Sequence, residues 1–288
     1  MDEKIQLGII GGSGLYDMQE LSDITAVSLD TPFGPTSDDY IIGTLKGVRI
    51  AFLPRHGNGH RLLPTEINFK ANIYGFKRLG VSRIMSVTAV GSLKEDIHPL
   101  DIVIPDQLLD NTKHRESTFF GKGLAAHIAY ADPFCCDLAA LLHETAAETG
   151  STTHKGGALI CIEGPAFSTR AESNLYRQWG MDIIGMTIVQ EAKLSREAEI
   201  CYAALALVTD YDCWHEEQTD VTAAAVVENL KKNIAHAKQI IRNTVTKIPP
   251  ARTCTCANAL QTAILTTAES IPAETRSDLA HILDKYLP

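Results

Sequence analysis

The chain has 288 residues, 45% of them apolar and 21% charged, with a formal net charge of −9. That length holds one large α/β domain or two small ones around a sizeable core. The acidic balance excludes nucleic acid and anionic membranes as default partners, because both need a basic face, but leaves room for a locally positive pocket that takes a small anion.

The opening MDEKIQ is charged and leads straight into a strand, so no signal peptide is expected. No apolar run approaches the roughly 20 residues of a membrane span. Ile5 to Ile10 forms a buried strand that runs into Gly11-Gly12-Ser13-Gly14. A strand followed by a Gly-rich turn exposes backbone N–H groups that can cradle an anion, although the same glycines suit a plain tight turn. The dinucleotide fingerprint fails, because its third glycine falls on Asp17, and no GK[ST] follows to make a P-loop.

Thr31 to Thr36 is turn chemistry, and Tyr40 to Pro54 predicts a hairpin turning at Gly47. Its second strand ends at Arg55-His56, with His60-Arg61 close behind, a local basic patch whose guanidinium forks suit phosphate. Pro64-Thr65 opens a helix that Gly80 ends. Arg83 to Val87 is a strand ending in Thr88-Ala89-Val90-Gly91-Ser92, and Asp101 to Pro105 is another. Lys113 to Phe134, which includes His127, is expected to be a long functional or interface loop. Cys136 to Glu148 is a helix, and Gly157 to Ile162 a strand leading to Glu163 through Ser168. Thr169 to Glu172 fits a capping box. Ile183 to Thr187 is a short strand, and Glu191 to Glu199 is helical.

Ala203 to Val208 is a near-continuous apolar run, as a strand buried on both faces requires. It stops at Thr209-Asp210-Tyr211-Asp212, where two carboxylates either enter one pocket or simply begin a solvated loop. Thr222 to Val245 is the clearest helix, with Val226, Leu230, Ile234, Ala237, Ile241 and Val245 as a core-facing stripe. Residues 251–275 are loosely patterned, and Ser277 to Leu287 forms a terminal helix.

The seven cysteines are scattered, which suits reduced thiols in the cytoplasm. Cys254-Thr-Cys256 has no matching Cys or His pair nearby in sequence, so no metal site is expected. A redox or stapling role for this pair stays open, and adjacent Cys135 and Cys136 are expected to face the core or to be incidental.

Four strand ends, at Ser13, Arg55-His56, Thr88 and Thr187, carry hydroxyl, guanidinium or imidazole groups that would surround a tetrahedral oxyanion if they converged. The end at Asp210 and Asp212 would add acid, which suggests phosphate acting as a nucleophile.

The segments GIIGGSG, DTPFGPTSD, RHG with His60, TAVGSL, EGPAFSTRAES, GMT and TDYDCW follow one another in the order seen in 5′-methylthioadenosine phosphorylases of the purine nucleoside phosphorylase superfamily. The resemblance covers roughly residues 6–246 and leaves the C-terminal stretch from 247 unmatched. It implies an α/β fold, a single domain over residues 1–288 whose central mixed sheet is flanked by helices, assembling as a homotrimer or hexamer with active sites at subunit interfaces. It implies a phosphate site at Ser13, Arg55, His56, Thr88, Ala89 and Thr187. Phe167 matches a base-packing aromatic beside Ser168, Met186 the residue under the ribose, and Asp210 and Asp212 the purine-binding acids. His127 matches a residue that neighbouring subunits contribute near the 5′ group. Ser13 stands where several relatives have Thr, which keeps the hydroxyl.

The expected reaction is phosphorolysis of the bond between ribose C1′ and purine N9. A proton or strong hydrogen bond to N7 assists the leaving base, and either Asp210 or Asp212 could deliver it. Burial and the nearby Asp212 are both expected to raise the pKa of Asp210. No metal or organic cofactor is expected, and inorganic phosphate is a co-substrate. Relatives acting on 6-oxopurines carry Asn at the position of Asp210 and often Glu at that of Ser168, so this chain is expected to favour adenine. A 6-oxopurine nucleoside phosphorylase is the alternative, and a non-catalytic nucleoside-binding protein the remote one.

Overall fold

The computed structural model describes residues 5–15, 17–215 and 222–287. Its strands, in chain order, are β1 (Leu7–Gly11), β2 (Ser22–Val27), β3 (Asp30–Thr31), β4 (Gly34–Pro35), β5 (Tyr40–Leu45), β6 (Val48–Pro54) and β7 (Arg83–Ser92). They continue with β8 (Ile102–Ile104), β9 (Gln107–Asn111), β10 (Thr153–Lys155), β11 (Ala158–Ile162), β12 (Ile183–Gly185) and β13 (Cys201–Asp210). The helices are α1 (Phe69–Arg78), α2 (Cys136–Ala147), α3 (Arg170–Gln178), α4 (Ile188–Glu197), α5 (Ala223–Lys247), α6 (Ala273–Asp278) and α7 (Ala280–Leu283).

Eleven strands form one mixed sheet, and β3 with β4 make a separate small hairpin. The main path runs β10-β8-β13-β7-β1-β6-β5-β2, and β13, β7, β1 and β6 are mutually parallel neighbours. The end of β7 also pairs antiparallel with β12, which continues through β11 to β9. Two apolar layers cover the sheet. Leu7, Ile9, Met85, Leu205 and Leu207 pack toward α2 and α5. Ile10, Ile84, Ala204, Ala206 and Val208 pack on the other face, toward α1 and α4. Every residue of β13 except Asp210 is buried, which accounts for its unbroken apolar run. Truncating Leu205 or Leu207 to Ala should cost about 2–5 kcal/mol.

The hairpin at residues 40–54 and the Thr169–Glu172 capping box stand as expected. Other boundaries moved. Helix α1 begins at Phe69 instead of Pro64, because the Glu66 carboxylate accepts the Leu63 N–H at 2.8 Å and Asn68 caps Ala71 at 3.1 Å. Helix α4 starts earlier, at Ile188. Strand β7 runs five residues beyond Val87, because β13 and then β12 supply ladder partners that local sequence does not reveal. The expected terminal helix is two short ones, interrupted at Leu279.

Candidate active site

In open α/β sheets, ligands sit beyond the carboxyl ends of the strands. The ends of β13, β7, β1 and β6 are adjacent here, and a cavity of about 410 Å³ opens at them. Gly12 and Leu15 reach it after β1, and Arg55, His56 and His60 after β6. Thr88, Ala89 and Gly91 reach it from β7, and Phe167 and Ser168 from the loop after β11. Met186 and Thr187 join β12 to α4, and Asp210 and Asp212 come from the end of β13. The Ser13 side chain lies outside the described part of the molecule.

The basic patch differs from its expected form. Arg55 is buried, and its fork grips Glu191, with Nε donating to Oε1 at 2.5 Å and Nη2 to Oε2 at 3.1 Å. Nη2 also donates to Ser86 Oγ at 2.6 Å and Nη1 to the Val87 carbonyl at 3.0 Å. Four of its five N–H groups are thus committed, leaving one on Nη1. Burial pulls the guanidinium toward neutrality, and Glu191 reverses this, so the Arg55 pKa lies above the usual arginine value. The exposed Arg61 turns away, donating to the Ser37 carbonyl. His56 is pulled down to about 4 by burial and by the charge of Arg55. Its Nδ1 lies 2.8 Å from the Leu62 carbonyl, which only accepts, so Nδ1 carries the proton and Nε2 is an acceptor. His60 stacks on it with ring centroids 4.2 Å apart. The site therefore offers N–H and O–H groups more than free positive charge. Thr187 makes no side-chain bond to the helix it caps, α4, whose positive dipole end faces this wall.

The acid end is built by a β-bulge. Val208 pairs with Val90 but Asp210 with Gly91, so Thr209 is the extra residue, and the bulge re-aims Asp210 into the cavity. Thr209 Oγ1 donates to Asp210 Oδ2 at 2.7 Å and lies 3.2 Å from the Val90 carbonyl. The Asp212 N–H donates to Asp210 Oδ1 at 2.8 Å. Asn229 and Asn233 of α5 hold the Thr209 and Val208 carbonyls at 2.7 and 3.1 Å. A Cβ on Gly91 would sit 2.8 Å from Asp210 Oδ1, so only glycine leaves that carboxylate its place. Burial raises the Asp210 pKa, and the Thr209 hydroxyl and Asp212 N–H oppose it. The expected contribution of Asp212 to this rise is not seen, since its backbone N–H works the other way. Asp212 is raised by burial, with the Asp210 carboxylate adding to the rise. The Ser173 and Ser168 hydroxyls oppose that rise from positions near the carboxylate, although Asp212 Oδ2, Ser168 Oγ and Ser173 Oγ, all buried, form no well-aligned hydrogen bond among the described residues.

His127, expected to serve a neighbouring subunit, is exposed on the long loop after β9 and does not line this chain's own cavity. Two features lie elsewhere than expected. The α5 stripe is fully buried core only from Ala237 onward, whereas Val226, Leu230 and Ile234, with Val227, form an apolar cavity wall, Leu230 also packing against the core. The sulfurs of Cys254 and Cys256 meet those of Cys135 and Cys201, all within 4.8 Å of one another, so the pair judged to lack partners has them. Cys136, next to Cys135, is exposed. Sequence reasoning also missed Glu191, Ser86 and Tyr202, and it missed Arg115, which binds Glu163 and the Met186 carbonyl. A buried acid facing a buried Arg gives no local sequence signal.

Residues 6–246 match the model of the phosphorylase superfamily. The S-methyl-5′-thioadenosine phosphorylase of Geobacter sulfurreducens is 58% identical over 98% of this chain and 99% of its own length. The one from Nitrosopumilus maritimus is 50% identical over 91% of this chain and 99% of its own. Among solved structures, a methylthioadenosine phosphorylase from an antarctic soil metagenomic library superposes with a TM-score of 0.94 at 49% identity, covering 98% of this chain and 99% of that one. The Schistosoma mansoni methylthioadenosine phosphorylase, in complex with adenine, does so with a TM-score of 0.82 at 32% identity over 98% of both chains.

Proposed function

Because this chain belongs to the phosphorylase superfamily, we propose that it splits S-methyl-5′-thioadenosine with inorganic phosphate, yielding adenine and 5-methylthioribose 1-phosphate. The observation that carries the reading is one cavity with hydrogen-bond donors at one end and a bulge-positioned, half-buried Asp210 at the other.

Phosphate is held by Ser13, the last N–H of Arg55, Thr88, the Ala89 backbone and Thr187 at the end of α4. Neutral His56 accepts a hydrogen bond from a protonated phosphate oxygen. As the glycosidic bond lengthens, the sugar becomes cation-like, and the bound dianion stabilises it electrostatically. Met186 lies under the ribose, held by Arg115, and Phe167 packs on the base. The purine leaves with negative charge, and a proton on Asp210 neutralises it at N7. Oδ2 is the oxygen able to carry that proton, because Thr209 Oγ1 can turn to the Val90 carbonyl 3.2 Å away. Asp212, whose buried Oδ2 has no well-aligned hydrogen bond among the described residues, accepts from the 6-amino group. A 6-oxopurine would set O6 against that acceptor, leaving two buried groups unpaired at about 1–3 kcal/mol each. The wall of Val226, Val227, Leu230 and Ile234 suits a methylthio group better than the bare 5′ hydroxyl of adenosine.

The reading extends to assembly. His127, exposed and off its own cavity, serves the 5′ end of a neighbouring subunit's site in a homotrimer or hexamer. Residues 1–288 act as one cytoplasmic phosphorylase domain. Among the described residues no helix is long and apolar enough to cross a membrane. Competing methylthioadenosine against methylthioinosine in phosphate buffer tests the base assignment. Adenine should be released faster, and faster release of hypoxanthine would overturn it.

A further inference from the structure

Remote from the cavity, four thiols converge from three parts of the chain. Cys135 is the N-cap of α2, Cys201 opens β13, and Cys254 and Cys256 belong to the segment after α5 that the motif resemblance does not reach. All four sulfurs lie within 4.8 Å of one another, and the Cys201 and Cys254 sulfurs are 3.3 Å apart. Cys135, Cys201 and Cys256 are at most 3% exposed. A tetrahedral zinc–tetrathiolate, with Zn–S near 2.3 Å, needs sulfurs about 3.8 Å apart. With every sulfur within 4.8 Å of the others, the cluster is close to that spacing, and it supplies all four ligands, leaving no position for substrate.

We propose that Cys135, Cys201, Cys254 and Cys256 bind one zinc ion, which fastens the C-terminal segment to the sheet. Binding replaces four S–H bonds by four Zn–S bonds, gives a centre of net charge −2 and releases four protons to solvent, with no change of oxidation state. Arg83 and Arg252 border the same surface pocket as Cys135, Cys201 and Cys254 and offset the charge of the centre, against Asp137 and Glu144 on its rim. Both arginines also tie the strand side to the tail. Arg83 donates to the Pro249 and Ala251 carbonyls, and Arg252 to those of Ser82 and Glu199. The ion would thus lock a junction that is already hydrogen-bonded. Four ligands in a closed shell, with none of them lining the active cavity, make this a structural site.

Elemental analysis of the full-length protein, purified under reducing conditions without chelator, tests the proposal. One zinc per chain is expected, retained in Cys136→Ser and lost at least tenfold in Cys254→Ser and Cys256→Ser. Where those variants fail to fold, cobalt(II) added to the metal-free, reduced wild-type chain gives the readout. It should produce the visible bands of tetrahedral thiolate coordination, and zinc should abolish them. Two results would overturn the proposal. One is a chain with no zinc and no cobalt bands whose seven thiols all alkylate. The other is an intact mass lower by four hydrogens, which would mean two disulfides in place of a metal.

Discussion

Glu191→Gln is the substitution whose outcome the structure specifies most fully. Glu191 Oε2 accepts from Arg55 Nη2, Ser86 Oγ and Tyr202 Oη at 3.1, 3.0 and 2.8 Å, and Oε1 accepts from Arg55 Nε at 2.5 Å. Glutamine keeps the volume but turns one of these oxygens into a donor. Ser86 and Tyr202 can rotate their hydroxyls to accept, but a guanidinium cannot. An N–H of Arg55 then faces an N–H, and the arginine charge is left buried without its counter-charge. Breaking such a pair by removing one partner costs about 3–5 kcal/mol. At about 2–4 °C per kcal/mol for a chain of this size, the Tm should fall by roughly 10 °C. The freed fork would also be misplaced under Thr88 and the phosphate position, so the KM for phosphate should rise at least tenfold, more than that for the nucleoside. Differential scanning calorimetry and initial rates at varied phosphate measure both. The double variant Arg55→Met with Glu191→Leu should recover most of the stability yet lose phosphate use. A Tm within about 2 °C of wild type, with an unchanged KM for phosphate in Glu191→Gln, would refute the reasoning.

Asp210→Asn should lower kcat for methylthioadenosine by roughly 10²–10⁴, the usual contribution of a positioned acid. Steady-state assays check this, and an unchanged rate would remove the residue from the mechanism. Gly91→Ala should cut kcat/KM by roughly 10², because a methyl group 2.8 Å from Oδ1 displaces the Asp210 carboxylate, and its contact with Ile184 Cγ2 at 3.0 Å should cost about 1–3 kcal/mol of stability besides. Glu197, held by the Thr118 hydroxyl and the Phe119 N–H, is raised by burial from 4.5 to about 7. The folded state then keeps a proton that the unfolded chain gives up, so stability should fall as pH rises from 4.5 to about 7, by about 3 kcal/mol. Urea unfolding across that window should show the slope in wild type and its loss in Glu197→Gln.

What the sequence made legible was local or periodic. The apolar run of β13, the hairpin ending at Arg55 and the capping box at Thr169 each follow from a few adjacent residues. The residues proposed for phosphate and purine do line one cavity, apart from Ser13, whose side chain is not described. What stayed hidden depends on contacts distant in sequence. Arg55 and Glu191 are separated by 136 positions, and neither neighbourhood announces the other. The bulge at Thr209 exists only as a mismatch between two strands. A helical stripe looks the same whether it meets a core or a cavity, so Val226, Leu230 and Ile234 could not be told apart from Ala237. The thiol cluster was hidden for a related reason, since Cys254-Thr-Cys256 finds its partners 53 or more positions away.

Phosphate dependence of base release from methylthioadenosine tests the central claim most directly. Purified protein with the nucleoside and inorganic phosphate should release adenine and 5-methylthioribose 1-phosphate in equal amounts, with no release when phosphate is withheld. Adenine appearing at the same rate without phosphate, together with free methylthioribose, would contradict the account.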